Sequence, residues 1–166
     1  MITIDYVCTM AAYNCWQNGS LYDAAATISD SERKRQRGAF FGSIHSTLSH
    51  LLWGDQIWMS RFTPSESPTS GLVDSTETYP DWDDLVTARN ARDDAITAWA
   101  MNLDPAWLEG DLTWTSAALN REFSQPVWKL VTHMFNHQTH HRGQIHAMLT
   151  AAGAKPDDTD LPFMPA

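Results

Sequence analysis

Two histidines, His137 and His141, lie four positions apart in the stretch between Asn136 and Gln144. On an α-helix, residues with this spacing lie on one face, about 6 Å apart along the axis, so both imidazoles can bind the same metal ion. A metal ion that takes part in chemistry usually has three protein ligands and leaves its remaining position to water or substrate. The pair therefore predicts a metal site that needs a third ligand.

The candidates for the third ligand are few, because the chain has seven histidines: His45, His50, His133, His137, His140, His141 and His146. Only His45 and His50 lie outside the C-terminal cluster, and they would be about 140° apart around one helix, so both cannot serve one site. The phase of the neighbouring apolar positions favours His50, which lies beside a face of small residues. His133 and His137 are also four positions apart, so spacing alone supports the pairs 133/137 and 137/141 almost equally.

The elements that would position these histidines are helices. Apolar residues recur at spacings of three and four in four segments, which is the pattern of amphipathic helices in a bundle. We predict an all-α fold, an antiparallel four-helix bundle that forms a single domain over residues 1–166. The helices are predicted over residues 5–28, 39–62, 81–103 and 126–152. A long loop is predicted over residues 63–80, and an irregular, hairpin-like excursion around Trp114 over residues 108–123.

The predicted inward face of each helix is apolar at both ends and polar in the middle. The polar positions include Asn14 on the first helix, Asp55 on the second, Arg89 and Arg92 on the third, and Gln144 on the fourth. Burying such groups without partners costs roughly 2 to 7 kcal/mol each, so the middle of the bundle must hold polar partners, water or a metal. The alternative is that the two arginines extend to solvent while asparagines cap local backbone.

Composition and charge argue against several classes of protein. With 166 residues, 43% of them hydrophobic and 19% charged, the chain can form one globular core. A net charge of −9 argues against nucleic-acid binding, which usually needs a concentrated basic surface. No apolar run reaches the roughly 20 residues of a membrane helix. Because the N-terminus also lacks a signal-peptide pattern, we expect a cytoplasmic protein.

The sequence around the histidines resembles that of a known family. Residues 136–144 read N-H-Q-T-H-H-R-G-Q, and residues 50–55 read H-L-L-W-G-D. With residues 12–16 and 40–44, these motifs resemble the DinB/YfiT-like family of metal-binding four-helix bundles over nearly the whole chain. Members of this family are often homodimers, which the resemblance implies here too.

In that family, a histidine on the second helix and an H-x-x-x-H pair on the fourth hold a divalent metal. Transferred position by position, the resemblance implies that His50, His137 and His141 are the ligands and that His140 lies outside the shell. It assigns no role to His133 or His146.

A site made of histidines suits zinc or nickel, with iron, cobalt and copper as alternatives, and the general affinity order does not choose among them. A di-iron carboxylate site is disfavoured, because the chain has no Glu-x-x-His sequence. Three neutral imidazoles leave the cation its full charge and an open position. Such a cation can acidify a bound water or thiol, or polarise a carbonyl.

Members of the resembled family include thiol-dependent S-transferases and a maleylpyruvate isomerase, which use low-molecular-weight thiols such as bacillithiol or mycothiol. The resemblance implies that the metal binds a thiol and presents it to an electrophile, so the expected partners are a small thiol and an electrophilic substrate. Arg89 and Arg92 are then candidates for binding carboxylates, and Asn14 and Gln144 for orienting groups near the metal.

Two other functions are open. A metal-dependent hydrolase would attack its substrate with metal-bound hydroxide and needs a general base nearby. Asp55 is the only carboxylate on the predicted inward faces and is a candidate catalytic residue, as is Gln144. The third hypothesis is a non-catalytic, metal-binding stress-response protein, which the damage-inducible name of the family suggests.

Overall fold

The computed structural model describes residues 2–116 and 119–165. In order along the chain, its helices and strands are α1 (Ile4–Ala26), α2 (Asp30–Lys34), α3 (Ile44–Phe62), α4 (Trp82–Met101), α5 (Pro105–Glu109), β1 (Asp111–Ser116), β2 (Arg121–Pro126) and α6 (Val127–Ala151). None of the helices described combines the length and the apolar character that crossing a bilayer requires.

The predicted fold class, an all-α antiparallel four-helix bundle, is wrong. The described residues also form two short helices, α2 and α5, and a two-stranded antiparallel sheet. The four long helices α1, α3, α4 and α6 are those that the apolar periodicity predicted. The largest difference in their bounds is at the start of α3, predicted at residue 39 and observed at Ile44.

The late start of α3 has a local cause. Gly42 has a φ of +80°, in the left-handed region that glycine adopts readily. Its amide donates to the carbonyl of Ala39 over 2.8 Å, which closes a tight turn. Ser43 then caps the helix, because its Oγ accepts a hydrogen bond from the amide of Ser46 at 3.1 Å. The helix therefore cannot extend back through residues 39–42.

The segment predicted as an irregular, hairpin-like excursion around Trp114 is a regular pair of antiparallel strands, so its hairpin-like character is confirmed and its irregularity is wrong. Asp111 lies opposite Pro126 and Ser116 opposite Arg121, so β1 and β2 pair along their whole length. Trp114 lies opposite Phe123, and the two rings stack with their centroids 5.5 Å apart. Cross-strand aromatic pairs of this kind stabilise a hairpin.

Two apolar clusters lie at opposite ends of the four long helices. One includes Leu21, Ile44, Leu52, Leu85 and Ile145. The other includes Val7, Met59, Ile96, Val131 and Met134. The predicted apolar ends are thus confirmed. The first cluster contains residues from the N-terminal halves of α3 and α4 and from the C-terminal halves of α1 and α6. The helices α3 and α4 therefore run parallel to each other. The long loop between α3 and α4 makes this parallel connection possible.

A layer of buried polar side chains separates the two clusters, as the sequence predicted. At its centre Arg89, which is 2% exposed, donates from Nε and Nη2 to Asp93 and from Nη1 to Asp55 at distances of 2.8 to 3.1 Å. Asn18 donates to Asp93 at 2.9 Å, and Gln138 donates to Asp55. Arg89 therefore does not extend to solvent, and ion pairs between helices fill this part of the layer.

The predicted long loop between α3 and α4 is fastened to α3. It contains a 3₁₀ turn, Leu72–Asp74. The indole N–H of Trp53 donates to the carbonyl of Ser70 at 2.9 Å, and Oγ of Ser49 donates to the carbonyl of Ser75 at 3.0 Å. These bonds hold the hydroxyl of Ser75 against the middle of the helix.

Candidate metal centre

Three histidines from two helices converge beside this loop. His50 extends from α3, and His137 and His141 extend from successive turns of α6. One ligand atom from each of the three lies within 4.8 Å of the other two. The Nε2 atoms of His50 and His137 are 3.3 Å apart.

This spacing fits a metal ion. Two nitrogens bound to one tetrahedral zinc ion at about 2.0 to 2.1 Å lie roughly 3.3 Å from each other. The separation of the Nε2 atoms of His50 and His137 has this value. His50 and His137 therefore match the donor type and the spacing that a zinc-like cation requires, and His141 offers a third imidazole whose ligand atom lies within 4.8 Å of both.

The tautomer of His50 follows from its neighbour in the loop. Its Nδ1 lies 2.8 Å from Oγ of Ser75. That hydroxyl already donates its proton to the carbonyl of Leu72 at 2.7 Å, so it must accept from His50. Nδ1 of His50 therefore carries the ring proton, and Nε2 keeps a free lone pair that faces the other histidines.

The same reasoning applies to His141. Its Nδ1 lies 2.8 Å from Oε1 of Gln144, and an amide oxygen can only accept. The proton is again on Nδ1, and Nε2 is free to bind a metal. A partner that fixes the second ring nitrogen is a usual feature of metal-binding histidines. Gln144, a residue predicted near the metal, thus hydrogen-bonds to His141 and fixes the position of its ring proton.

The imidazoles are neutral at physiological pH. Burial, followed by the charge of His141, lowers the pKa of His50 to about 4. The same two causes, with smaller contributions from the other neighbouring histidines, lower the pKa of His137 to about 3. Burial also lowers the pKa of His141. The lone pairs that a metal needs are therefore available without competition from protons.

We expect the protein to keep its metal to a lower pH than ordinary histidines allow. Protons and metal compete for the same lone pairs, and an unperturbed histidine begins to lose this competition near its pKa of about 6.5. Because burial lowers the pKa of all three imidazoles, those of His50 and His137 to about 4 and about 3, binding should be lost at a lower pH than for unperturbed histidines.

The measurement is the metal content after dialysis against constant free zinc at a series of pH values. Equal content at about pH 8 and about pH 5.5, with loss below about pH 5, is expected. Loss centred near pH 6.5 would contradict the role of burial.

Gly54 makes room for the ring of His137. A Cβ atom at position 54 would lie 3.0 Å from Cε1 and 3.3 Å from Nδ1 of that imidazole. Such contacts are shorter than ordinary van der Waals separations, so any side chain at this position would displace the ring. Gly54 belongs to the face of small residues that lies beside His50. That face thus leaves room for the ring of His137 on α6 as well as for His50.

We expect Gly54→Ala to weaken metal binding by about 10- to 100-fold, the usual effect of disturbing the support of a ligand. The fold should survive, because alanine favours a helix interior over glycine by up to about 1 kcal/mol. Gly143→Ala is the matched control, since no atom lies within 4 Å of a Cβ there and metal affinity should not change. Competition titration with a chelator measures the affinities, and equal values for both variants would contradict this account.

Aromatic rings enclose the histidines on the α3 side. The ring of Phe41 lies 3.9 Å from that of His50 and 5.2 Å from that of His141, measured between centroids. Trp53 stacks on His50 with a centroid separation of 5.9 Å. Sequence reasoning singled out neither Phe41 nor Ser75 as part of the site. Residues 40–44 were used only as one of the motifs that resemble the family. No feature of the sequence around Ser75 indicated that it would contact a histidine.

The structure also separates the alternatives that spacing left open. His45 lies apart from the cluster, with Nε2 2.7 Å from the carbonyl of Tyr79. His133 packs edge-on against Trp58, with ring centroids 5.1 Å apart. The described residues that converge are therefore His50 rather than His45, and the pair 137/141 rather than 133/137.

The other predicted site residues have contacts of their own. Asp55 and Arg89 are bound to each other in the buried polar layer. Asn14 accepts a hydrogen bond from Arg142, whose guanidinium is also buried. Arg92 is half-buried and has no side-chain hydrogen bond within the described residues. None of these four hydrogen-bonds to an imidazole of the cluster, so the observed contacts do not support the predicted substrate contacts of Arg89 and Asn14.

Comparison with known proteins gives one match. The model of a family described as the DinB family matches residues 1–166, the whole chain. No curated protein matches the chain.

Proposed function

From the premise that the chain belongs to the DinB family, we propose that it is a divalent-metal protein whose metal site carries out thiol-dependent group transfer. The proposed ligands are His50, His137 and His141. The observation that carries the proposal is the convergence of their ligand atoms within 4.8 Å, with hydrogen bonds that leave Nε2 of His50 and His141 free.

Zinc or nickel is the proposed metal, with iron, cobalt or copper as alternatives. The three ligands are imidazoles, which are donors of intermediate softness, and they include no thiolate. Such donors suit all of these ions. Three neutral ligands leave the ion its full positive charge.

When bound, the ion would supply the positive charge that keeps a thiol ionised at neutral pH. Neighbouring residues of the chain would orient the imidazole ligands. Ser75 and Gln144 hold the Nδ1 protons of His50 and His141, which leaves both Nε2 lone pairs free for a metal. Phe41 and Trp53 cover His50 and exclude water from that side. The thiolate sulfur would then attack an electrophilic carbon on the substrate and displace its leaving group.

The contacts of Asp55 favour transfer over hydrolysis. A hydrolase of this kind needs a general base that can reach a metal-bound water. Asp55 is 1% exposed, and its two carboxylate oxygens are taken by Arg89 and Gln138. A carboxylate held in this way cannot rotate toward the metal without breaking a buried ion pair.

The test uses cobalt-substituted protein titrated with 2-mercaptoethanol. Entry of sulfur into the metal shell should add a sulfur-to-cobalt charge-transfer band to the absorption spectrum. Ethylene glycol, which has the same shape without sulfur, is the ligand control, and His141→Ala, which should hold no cobalt, is the protein control. An unchanged spectrum at millimolar thiol would contradict thiol binding.

Turnover is measured separately, as thiol-dependent conversion of 1-chloro-2,4-dinitrobenzene with release of chloride. Transfer that disappears in His141→Ala supports the proposal. Hydrolysis of p-nitrophenyl acetate that disappears in the same variant, without thiol-dependent transfer, would support the hydrolase. Metal binding with neither activity would support the non-catalytic protein.

A further inference from the structure

A cavity of about 710 Å³ lies beside the histidine cluster, between the C-terminal half of α3, the loop that follows it and β1. Its walls include Trp53, Ile57 and Arg61 from α3 and Trp114 from β1. Small-molecule sites typically have volumes of about 300 to 1,000 Å³ and apolar walls with a few polar groups. The cavity has both properties.

Arg61 is the one cation among the described residues that line this cavity. Its guanidinium carbon lies 4.5 Å from the ring centroid of Trp58 and 5.4 Å from that of Trp114. The two indoles hold the group by cation–π contact and leave its N–H edges free for hydrogen bonds. Burial lowers the pKa of Arg61, so the folded chain holds this charge at a cost in solvation.

Among the described residues, no carboxylate pairs with this charge. No salt bridge to Arg61 occurs within residues 2–116 and 119–165, although the chain has 20 acidic and only 11 basic residues. Asp74 also lines the cavity but makes no ion pair with Arg61. The fully buried Arg89, by contrast, contacts two carboxylates. A partly desolvated arginine without an acidic partner can bind an anion with charge-assisted hydrogen bonds.

The cavity and the histidine cluster share wall residues. Trp53 lines the cavity and stacks on His50, with the ring planes 25° apart. The loop segment 70–74 also lines the cavity, and the next residue, Ser75, holds Nδ1 of His50. A ligand in the cavity would therefore contact Trp53 and the loop, both of which also contact His50.

We propose that this cavity binds a small organic carboxylate with an aromatic or apolar body. Arg61 pairs with the carboxylate, and the body lies against Trp53 and Trp114. That such a carboxylate is the electrophile or the thiol of the metal site rests on the proposed function, whereas its binding does not.

The test compares 2-naphthoate with its uncharged analogue 2-naphthamide, by NMR titration of the tryptophan indole N–H signals. Naphthoate should shift the signals of Trp53 and Trp114 and bind at least tenfold more tightly than naphthamide. Arg61→Gln should weaken naphthoate binding at least tenfold. Arg121→Gln is the matched control, because that guanidinium lies over Phe123 outside the cavity and its loss should leave the affinity unchanged.

A second variant acts in the opposite direction. Asp74→Asn removes the carboxylate that lines the cavity and should tighten naphthoate binding two- to fivefold. Equal affinities for naphthoate and naphthamide, or an unchanged naphthoate affinity in both Arg61→Gln and Asp74→Asn, would overturn the inference.

The metal-site variant His137→Ala keeps the two proposals distinguishable. It should bind naphthoate within twofold of the unsubstituted protein, because His137 does not line the cavity. If the unsubstituted protein binds naphthoate through Arg61 but holds no metal, the proposed function alone is contradicted. Metal and thiol binding without any preference for the carboxylate would overturn the inference alone.

Discussion

His137→Ala is expected to lower metal affinity by at least about a hundredfold, more than the loss of an outer-shell partner does. His137 links the other two ligands, since its Nε2 lies 3.3 Å from that of His50 and its ring centroid lies 4.6 Å from that of His141. Without it, two imidazoles remain and the three-ligand shell of an active metal is lost. Metal content by mass spectrometry and chelator competition measure the effect.

His133→Ala and His140→Ala are the matched controls, because both residues lie within one turn of His137 on α6 and outside the cluster of three. Each should keep stoichiometric metal and bind it within about threefold of the unsubstituted protein. Loss of metal in His133→Ala together with full retention in His141→Ala would show that the pair 133/137 holds the ion.

Arg89→Ala is expected to destabilise the fold by about 3 to 5 kcal/mol, the usual cost of removing one partner from a buried ion pair. The substitution leaves the carboxylates of Asp55 and Asp93, which are 1% and 5% exposed, without their cation. Burial already raises the pKa of Asp93 to about 6 even though Arg89 acts in the opposite direction. Loss of the guanidinium should raise it further.

The pH dependence of this effect has a definite sign. A carboxyl whose pKa is higher in the folded state than in the unfolded state stabilises the fold at low pH, and this stability is lost as the pH rises through the folded value. The destabilisation of Arg89→Ala should therefore be smaller at about pH 5 than at about pH 7.5, as measured by urea unfolding.

Arg92→Ala separates a loss of ion pairing from a general effect on α4. Arg92 is half-buried on the same helix and makes no side-chain hydrogen bond in the part of the chain described. Its substitution should change the free energy of unfolding by less than about 1 kcal/mol. Equal destabilisation by both substitutions would show that the buried pairs are not the cause.

The long helices and the ligand set could be predicted because their signals are local. Apolar residues repeat at helical spacing through each long helix, and a four-residue spacing places His137 and His141 on one face. The phase of the apolar positions favoured His50 over His45, whereas the choice of His141 over His133 depended on the family resemblance. Both choices match the three histidines that converge in the structure.

The partners of these side chains could not be predicted, because they come from distant parts of the chain. Arg89 pairs with Asp55 across 34 positions, and His50 meets Ser75 across 25. Such contacts depend on the path of the loop and on the parallel arrangement of α3 and α4, which helical periodicity does not specify. The short strands β1 and β2 have only six residues each, so the sequence indicated a hairpin-like excursion around Trp114 but not the register in which the strands pair.

The hydrogen bond between His50 and Ser75 would couple a bound metal to the loop. A metal that fixes the ring of His50 also favours the loop conformation in which Ser75 accepts its proton, and the coupling must act equally in both directions. Amide hydrogen exchange in residues 71–78 should therefore slow when metal is added, and a change in the loop that speeds this exchange should weaken the affinity for the ion. The protection of the amides and the affinity for the ion report one coupling free energy, measured from opposite ends.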